Sequence, residues 1–176
     1  MRRRKKYRDN SVRPDLIGEH RYGDAGQVVF FVVFMLVWAG DSFFLRLSVF
    51  LNEIVPLYIR LLPAAWLLVC SAYLAMESKR IIFGEHRDPP VVVNKKIYAK
   101  IRHPMYLSEL LLYLSFIFLS LSVAAIIVWL TGAIFIYFLC RHEEKLLLEY
   151  FGESYRQYMK ETPMWIPHCL HKKKKG

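Results

Sequence analysis

The sequence predicts an all-α integral membrane protein: four transmembrane helices followed by cytosolic amphipathic helices at the C-terminal end. Two observations carry this. The chain is 55 % hydrophobic yet holds 25 Lys and Arg among 176 residues, and the two populations are segregated into blocks instead of mixing at helix or strand period. The basic residues also cluster, with 8 in residues 1–25, 7 in 77–103 and 8 in 141–176, leaving only Arg46 and Arg60 elsewhere. An even number of crossings puts all three basic segments on one side of the bilayer, which the positive-inside rule makes the cytosol. Both termini then face the cytosol.

Each element follows in order. Residues 1–25 form a basic arm opening "MRRRKKYR"; Asp9, Asp15, Glu19 and Asp24 separate it from the first apolar run, which argues against a cleaved signal. Such an arm, and the "HKKKK" of the tail 168–176, suit electrostatic attachment to anionic lipid. Nucleic acid is not expected, because no alternation of aromatic and basic residues accompanies the charge. Residues 26–78 hold the first two crossings, in blocks near 26–45 and 54–77. The first is free of charge from Gln27 to Gly40, placing Asp41 near its far end. The second contains Pro56, Arg60 and Pro63, and an interfacial helix over 46–58 is the alternative for its start. Blocks 104–121 and 123–140 run on as "MYLSELLLYLSFIFLSLSVAAIIVWLTGAIFIYFLC", too long for one crossing at ~1.5 Å per residue. The Ser-rich "LSLS" at 119–122 marks the reversal of a hairpin. Three or five crossings are the alternatives to four.

Residues 79–167 carry the chemistry. In "IRHPMYLSELLLY" (101–113), Pro104 suits the first turn of a helix, where its missing N–H costs nothing. That turn exposes backbone N–H groups and the positive end of the helix dipole, to which Arg102 and His103 add donors, giving an anion site. The bland alternative is that Arg102 snorkels to lipid phosphate and His103 merely caps. Tyr106, then Glu109 or Leu110, then Tyr113 continue as a polar stripe. Glu109 inside a span faces a bundle interior or cavity by default, or lies shallow enough to stay hydrated.

After the fourth crossing comes "RHEEKLLLEYFGESYRQYMKETPMWIP" (141–167). Leu146, Leu147, Tyr150 and Phe151 share a face, Gly152 is a natural stop, and Tyr155, Tyr158 and Met159 form a second short amphipathic helix ended by Pro163. Glu143 and Glu144 leave the hairpin where Arg102 and His103 enter it, so an acidic pair and a basic pair can converge as a receptor for a zwitterion. S-adenosyl-L-methionine fits such a receptor, its sulfonium stabilised by the faces of Tyr98 or Tyr106. The extended run Pro89 to Val93 could pair with an adenine edge. Cys70, Cys140 and Cys169 have no paired spacing and are read as free thiols; His168, Cys169 and His171 lack a fourth ligand, and no metal is expected.

The pattern "IYAKIRHPMY", a hydrophobic hairpin, then "RHEEKLLLEYFGESYRQYM" and "WIP" resembles the integral-membrane methyltransferases, a group including isoprenylcysteine carboxyl methyltransferase and the phospholipid N-methyltransferases. The resemblance covers residues 86–167. It implies transfer of a methyl group from S-adenosyl-L-methionine to a lipid or other lipophilic acceptor. Carried over by position, the cofactor contacts are Pro90, Val91, Val92, Val93, Tyr98, His103, Pro104, Met105, Tyr106 and Glu143. Arg141, Glu144 and Glu109 are the candidates for catalysis: Arg141 to hold a carboxylate acceptor, a Glu to deprotonate an amine. Two positions depart from the family. Lys96 stands where the family usually has Gly, which can take a positive φ that Lys takes only at a cost. Leu139 stands where the isoprenylcysteine enzymes place a substrate Arg. The rivals are an NADPH-dependent reductase of the sterol-reductase kind, against which the acidic pair argues, and a non-catalytic small membrane protein. The apolar blocks suit a monomer or a dimer equally.

Overall fold

The computed structural model describes residues 21–84 and 90–166, which are helical with short connections and hold no strand. The basic arm over 1–20, Pro89, and the tail with His168, Cys169 and His171 lie outside the described residues. Helix α1 is Arg21–Ala39, extended by a π-helical turn over Gly40–Leu45; α2 is the short Leu51–Ile54, α3 is Leu57–Phe83, α4 is Pro104–Ser120, α5 is Val123–Phe151 and α6 is Glu153–Glu161.

Among the described residues, three helices are long and apolar enough to cross a bilayer: Ala25–Leu45, Leu57–Phe83 and Val123–Phe151. The fourth apolar helix, α4, has 17 residues, short of the ~20 that a crossing takes. Residues 46–58 are not one interfacial helix: α2 makes a single turn, Pro56 in extended backbone (φ −59°, ψ 147°) caps α3, and Leu57 and Tyr58 already belong to that span. Helix α3 continues through Pro63 and on to Phe83, beyond the charge-free stretch. Helix α5 continues through Glu143 and Glu144 without a break, for 29 residues. At ~1.5 Å per residue it is ~44 Å long, so its last turns outrun a ~30 Å hydrocarbon core.

Interhelical contacts fix the arrangement. Ser71 Oγ donates to Ser108 O at 2.6 Å, and Arg60 Nη1 donates to Leu119 O at 2.9 Å, so α3 runs antiparallel to α4. Trp38 Nε1 donates to Phe116 O at 2.8 Å while Phe34 packs on Tyr113, so α1 runs parallel to α4. A Cβ on Gly132 would lie 1.9 Å from the Phe30 ring; α1 and α5 approach this closely only because position 132 has no side chain. The core between them comprises Phe34, Trp38, Tyr113, Ile117 and Ala125.

The hairpin reverses at Leu121, which takes left-handed backbone (φ 48°, ψ 34°), and Ser122 caps α5 by accepting from Ala125 N–H at 3.1 Å. That cap belongs to a network at this far end of the bundle. Asp41 accepts from the Ser48 and Ser122 hydroxyls, each at 2.5 Å, and from Ser48 N–H at 3.1 Å. Asp41 and Ser122 are both buried, and nothing in the local sequence pairs them. At the other end, Gly152 (φ 59°, ψ −128°) turns the chain from α5 into α6 with a positive φ that suits glycine.

Replacing Asp41 by Ala strands the buried Ser122 hydroxyl and the half-buried Ser48 hydroxyl. We expect a loss of about 1–3 kcal/mol, read as a lower unfolding temperature in detergent. Ligand affinity at the opposite end should not change.

Candidate functional site

The near end of the bundle gathers the residues that precede α4, the last turns of α5, helix α6 and the strap 162–166. A 3-10 turn over Lys96–Ala99 leads in, and Lys96 does hold a positive φ of 53°. The departure from glycine therefore falls where the backbone is left-handed. Tyr98 is buried, and its carbonyl accepts from Tyr158 OH of α6 at 2.6 Å. Arg102 N–H donates to Pro163 O at 2.9 Å and His103 N–H to Met164 O at 3.2 Å, so the strap pairs with the chain just before α4. His103 is the residue before the helix and Pro104 its first, as the Arg-His-Pro triplet predicts.

Glu144 is the centre. It is 1 % exposed, and Arg102, His103 and Arg141 surround it. Arg102 Nη1 stands 3.1 Å from Oε1, as an ion pair off the line of a hydrogen bond. His103 Nε2 lies 3.3 Å from Oε1, and Arg141 Nη1 donates to Oε2 at 3.2 Å. Glu143, on the same turn, lies 3.7 Å from His103 Nδ1 and accepts a short hydrogen bond from Tyr106 OH. The acidic and basic pairs thus meet directly, and His103 contacts both carboxylates. Tyr155 and Tyr158 of α6 are buried over the cluster, and burial pushes both phenols well above the ordinary tyrosine range, with Glu144 adding to the rise at Tyr155 and Tyr98 at Tyr158. Both therefore remain protonated.

Other expected residues lie apart from this cluster. Glu109 accepts from Tyr113 OH at 2.5 Å, deeper along α4, and the Tyr113 ring is buried against Phe30 and Phe34. Pro90 to Val93 form a non-helical run, partly exposed, and the backbone of Val91, Val92 and Val93 makes no hydrogen bond among the described residues. Arg141 is half-exposed and turned to Glu144. A cleft of about 280 Å³ opens at the same end, lined by Arg80, Ile81, Gly84, Lys95 and Lys96. Sequence reasoning missed the carbonyls of Pro163 and Met164 as partners of the Arg102 and His103 backbone; the local signal present was Pro163 as a helix stop.

A family model described as phospholipid methyltransferase matches residues 58–154, more than half of the chain. The chain belongs to this family. Membership bears out the resemblance to the membrane methyltransferases and extends it back to the start of α3, the helix packed along α4. The methanethiol S-methyltransferase of Pseudomonas deceptionensis is 37 % identical over 93 residues, a stretch covering 53 % of this chain and 32 % of that protein. The aligned segment thus spans about a third of the relative's length. No solved structure matches the chain. For a member of the phospholipid methyltransferase family, the matched segment contains the whole charged cluster and ends at the first turn of α6.

Two stability changes follow. Glu144→Ala leaves the buried Arg102 without its carboxylate and should cost about 3–5 kcal/mol, whereas the double change Arg102→Met with Glu144→Leu should recover most of it. Lys96→Gly should raise stability by about 1 kcal/mol, because it relieves a left-handed backbone strained by a side chain. Thermal unfolding in detergent checks both.

Proposed function

We propose that this chain transfers a methyl group from S-adenosyl-L-methionine to a lipophilic acceptor at the cytosolic face of a membrane. One observation carries the reading: in a member of the phospholipid methyltransferase family, the start of α4 and the exit of α5 bring His103 within 3.7 Å of Glu143 and 3.3 Å of Glu144. A basic and an acidic wall at one end of a bundle suit a ligand that carries both signs of charge.

The residues present fit that cofactor. Arg102 is nine-tenths buried, and its Nε has no hydrogen-bond partner, so it can receive a carboxylate. Met105 N–H, in the first turn of α4, has no acceptor within the helix and adds a second donor. Glu143 suits an ammonium, Tyr98 and Tyr106 offer ring faces to a sulfonium, and the Val91–Val93 backbone suits the edge of an adenine. Glu144 holds Arg102 and His103 in place, which makes it a positioning residue. When bound, the cofactor supplies a methyl group already activated for displacement. What remains for the protein is to align the acceptor with it and to exclude water. For an amine acceptor Glu109, fixed by Tyr113, is the candidate proton acceptor. For a carboxylate acceptor Arg141 is the candidate clamp, although its bond to Glu144 competes for that role.

All four apolar helices cross the bilayer in this reading. Helix α4 runs beside α3 from the Ser71 level to the Arg60 level and beside α5 through the hairpin, so its short length is carried within the bundle. The described basic residues crowd the near end, including Lys79, Arg80, Lys95, Lys96, Lys100 and Lys145, which supports a cytosolic near end under the positive-inside rule. The family description and the relative's name frame two acceptors to try, a phospholipid amine and a small thiol; the resemblance to isoprenylcysteine carboxyl methyltransferase adds a prenyl-cysteine carboxylate as the third.

The test is a transfer assay with radiolabelled S-adenosyl-L-methionine and these three acceptors, alongside a direct binding measurement. We expect transfer to at least one acceptor. His103→Ala and Glu143→Gln should each weaken cofactor binding about tenfold or more, the worth of a hydrogen bond to a charged group. Absence of binding and transfer in the wild type, with the variants indistinguishable from it, overturns the proposal.

A further inference from the structure

Arg60 differs from the other buried charges of the molecule. It lies in the first turn of α3, at the far end of the bundle, and is 8 % exposed. Its guanidinium is a permanent cation, and burying a charge without a partner is costly. Nη1 donates to Asn52 Oδ1 and, at 2.9 Å, to Leu119 O, both neutral acceptors. Among the described residues no carboxylate forms an ion pair with it. The acids at this end are otherwise placed: Asp41 accepts from Ser48 and Ser122, and Glu53 is exposed on α2.

Two unmet groups mark the same place. The Nε of Arg60 is buried without a hydrogen-bond partner, and so is the hydroxyl of Ser120, which follows Leu119 and ends α4. Ser120 is itself 7 % exposed. Buried polar atoms left unmet are uncommon, and each calls for a partner. The Nε edge of a guanidinium is a fork that suits two oxygens of an anion. Helix ends do not cancel the charge. The start of α3 is positive and adds to it; the end of α4 is negative but supplies only about half an elementary charge.

The surroundings indicate which anion. The connection between α1 and α3 presents Phe43, Phe44, Leu47 and Ile54, each two-thirds exposed or more, a surface that belongs against lipid. From Arg60 to Lys79, helix α3 rises ~29 Å at ~1.5 Å per residue, matching a ~30 Å hydrocarbon core. Arg60 therefore lies at the level of the headgroups, where every phospholipid carries a phosphate.

We propose that Arg60 and Ser120 form a phosphate site that holds the headgroup of one phospholipid of the far leaflet, where α3 begins and α4 ends. The Arg60 Nε edge and the Ser120 hydroxyl donate to phosphate oxygens, and the acyl chains lie along the exposed apolar side chains of the connection. Both atoms are covered, so the headgroup displaces the Asn52 side chain, which reaches Arg60 from the single turn α2. The site is at the end of the bundle opposite the charged cluster and does not rest on the methyltransferase reading.

The test uses the full-length chain with isotope-labelled arginine, stripped of lipid in maltoside detergent and titrated with dioleoyl phosphatidylglycerol. Arg60→Lys assigns the Arg60 Nε–H signal, and the Arg102 Nε–H, at the opposite end, reports effects that are not specific to the site. The Arg60 signal should shift saturably while that of Arg102 stays put. Neither dioleoylglycerol, which lacks the phosphate, nor inorganic phosphate at the same concentration, which lacks the chains, should reproduce the shift. Ser120→Ala should weaken the lipid about tenfold, the worth of a hydrogen bond to a charged group. It should leave the unfolding temperature of the stripped chain unchanged, because this hydroxyl has no partner to lose. An Arg60 signal that stays still, or moves only in step with Arg102, overturns the proposal, as does undiminished affinity in Ser120→Ala. An equal response to dioleoylglycerol removes the phosphate site, and an equal response to inorganic phosphate removes the lipid as its occupant.

Discussion

Burial of the Glu144 carboxylate is the constraint on which the near end of this protein depends. A charge so fully withdrawn from water is tolerated only with partners, and the loss of one partner is far more costly than the net worth of the pair. Arg102 and His103 satisfy Glu144 from the segment before α4, and Arg141 does so from its own helix. The start of one hairpin leg is thereby drawn to the exit of the other. The strap follows, because the same two residues before α4 give their N–H groups to Pro163 and Met164. Helix α6 then covers the cluster with Tyr155 and Tyr158. A geometry suited to a zwitterionic ligand is thus a by-product of keeping one carboxylate solvated by protein.

The membrane-spanning part is held by a different kind of interaction. Lipid tails are as apolar as leucine, so helices in a bilayer associate through close packing and interhelical hydrogen bonds. Gly132 lets the Phe30 ring settle against α5, and Gly26 stands similarly close to Phe135. Polar side chains then tie each helix to a neighbour's carbonyls: Ser71 to Ser108, Trp38 to Phe116, Trp129 to Leu110 and Arg60 to Leu119. At the far end, Asp41 locks the loop after α1 onto the N-terminus of α5. Few of these bonds join charged pairs. The two ends of the bundle are polar in different ways: one locks a loop to a helix start, and the other gathers a buried carboxylate with its cationic partners.

Much of this was legible because its signals are local. The Ser-rich reversal at 119–122, the Pro104 start and the Gly152 stop each show as local signals, whereas the positive φ at Lys96 runs against the preference of Lys and was signalled only by the glycine that the family has there. The convergence of His103 with Glu143 was legible because a hairpin must return to the side it left. The sequence did not disclose that α5 runs unbroken past its apolar stretch, because a change in polarity does not end a helix whose hydrogen bonds continue. Pro63 looked disruptive but removes only one rung close to the start of α3. The Asp41–Ser48–Ser122 network and the pairing of the strap with residues 102 and 103 are long-range, and a single chain carries no periodic trace of such pairs. The count of crossings stayed open for a related reason: α4 is short, and its length makes sense only beside α3 and α5.

The central claim is that the beginning of α4 and the end of α5 form opposite walls of one site. Paired cysteines at positions 103 and 143, in a chain whose native cysteines are replaced by serine, test it directly in native membranes with the shortest bis-methanethiosulfonate linker. The account predicts rapid intramolecular bridging of this pair and none for a control pair at positions 41 and 143, which sit at opposite ends of the bundle. Bridging at 103 and 143 no faster than the control would contradict it.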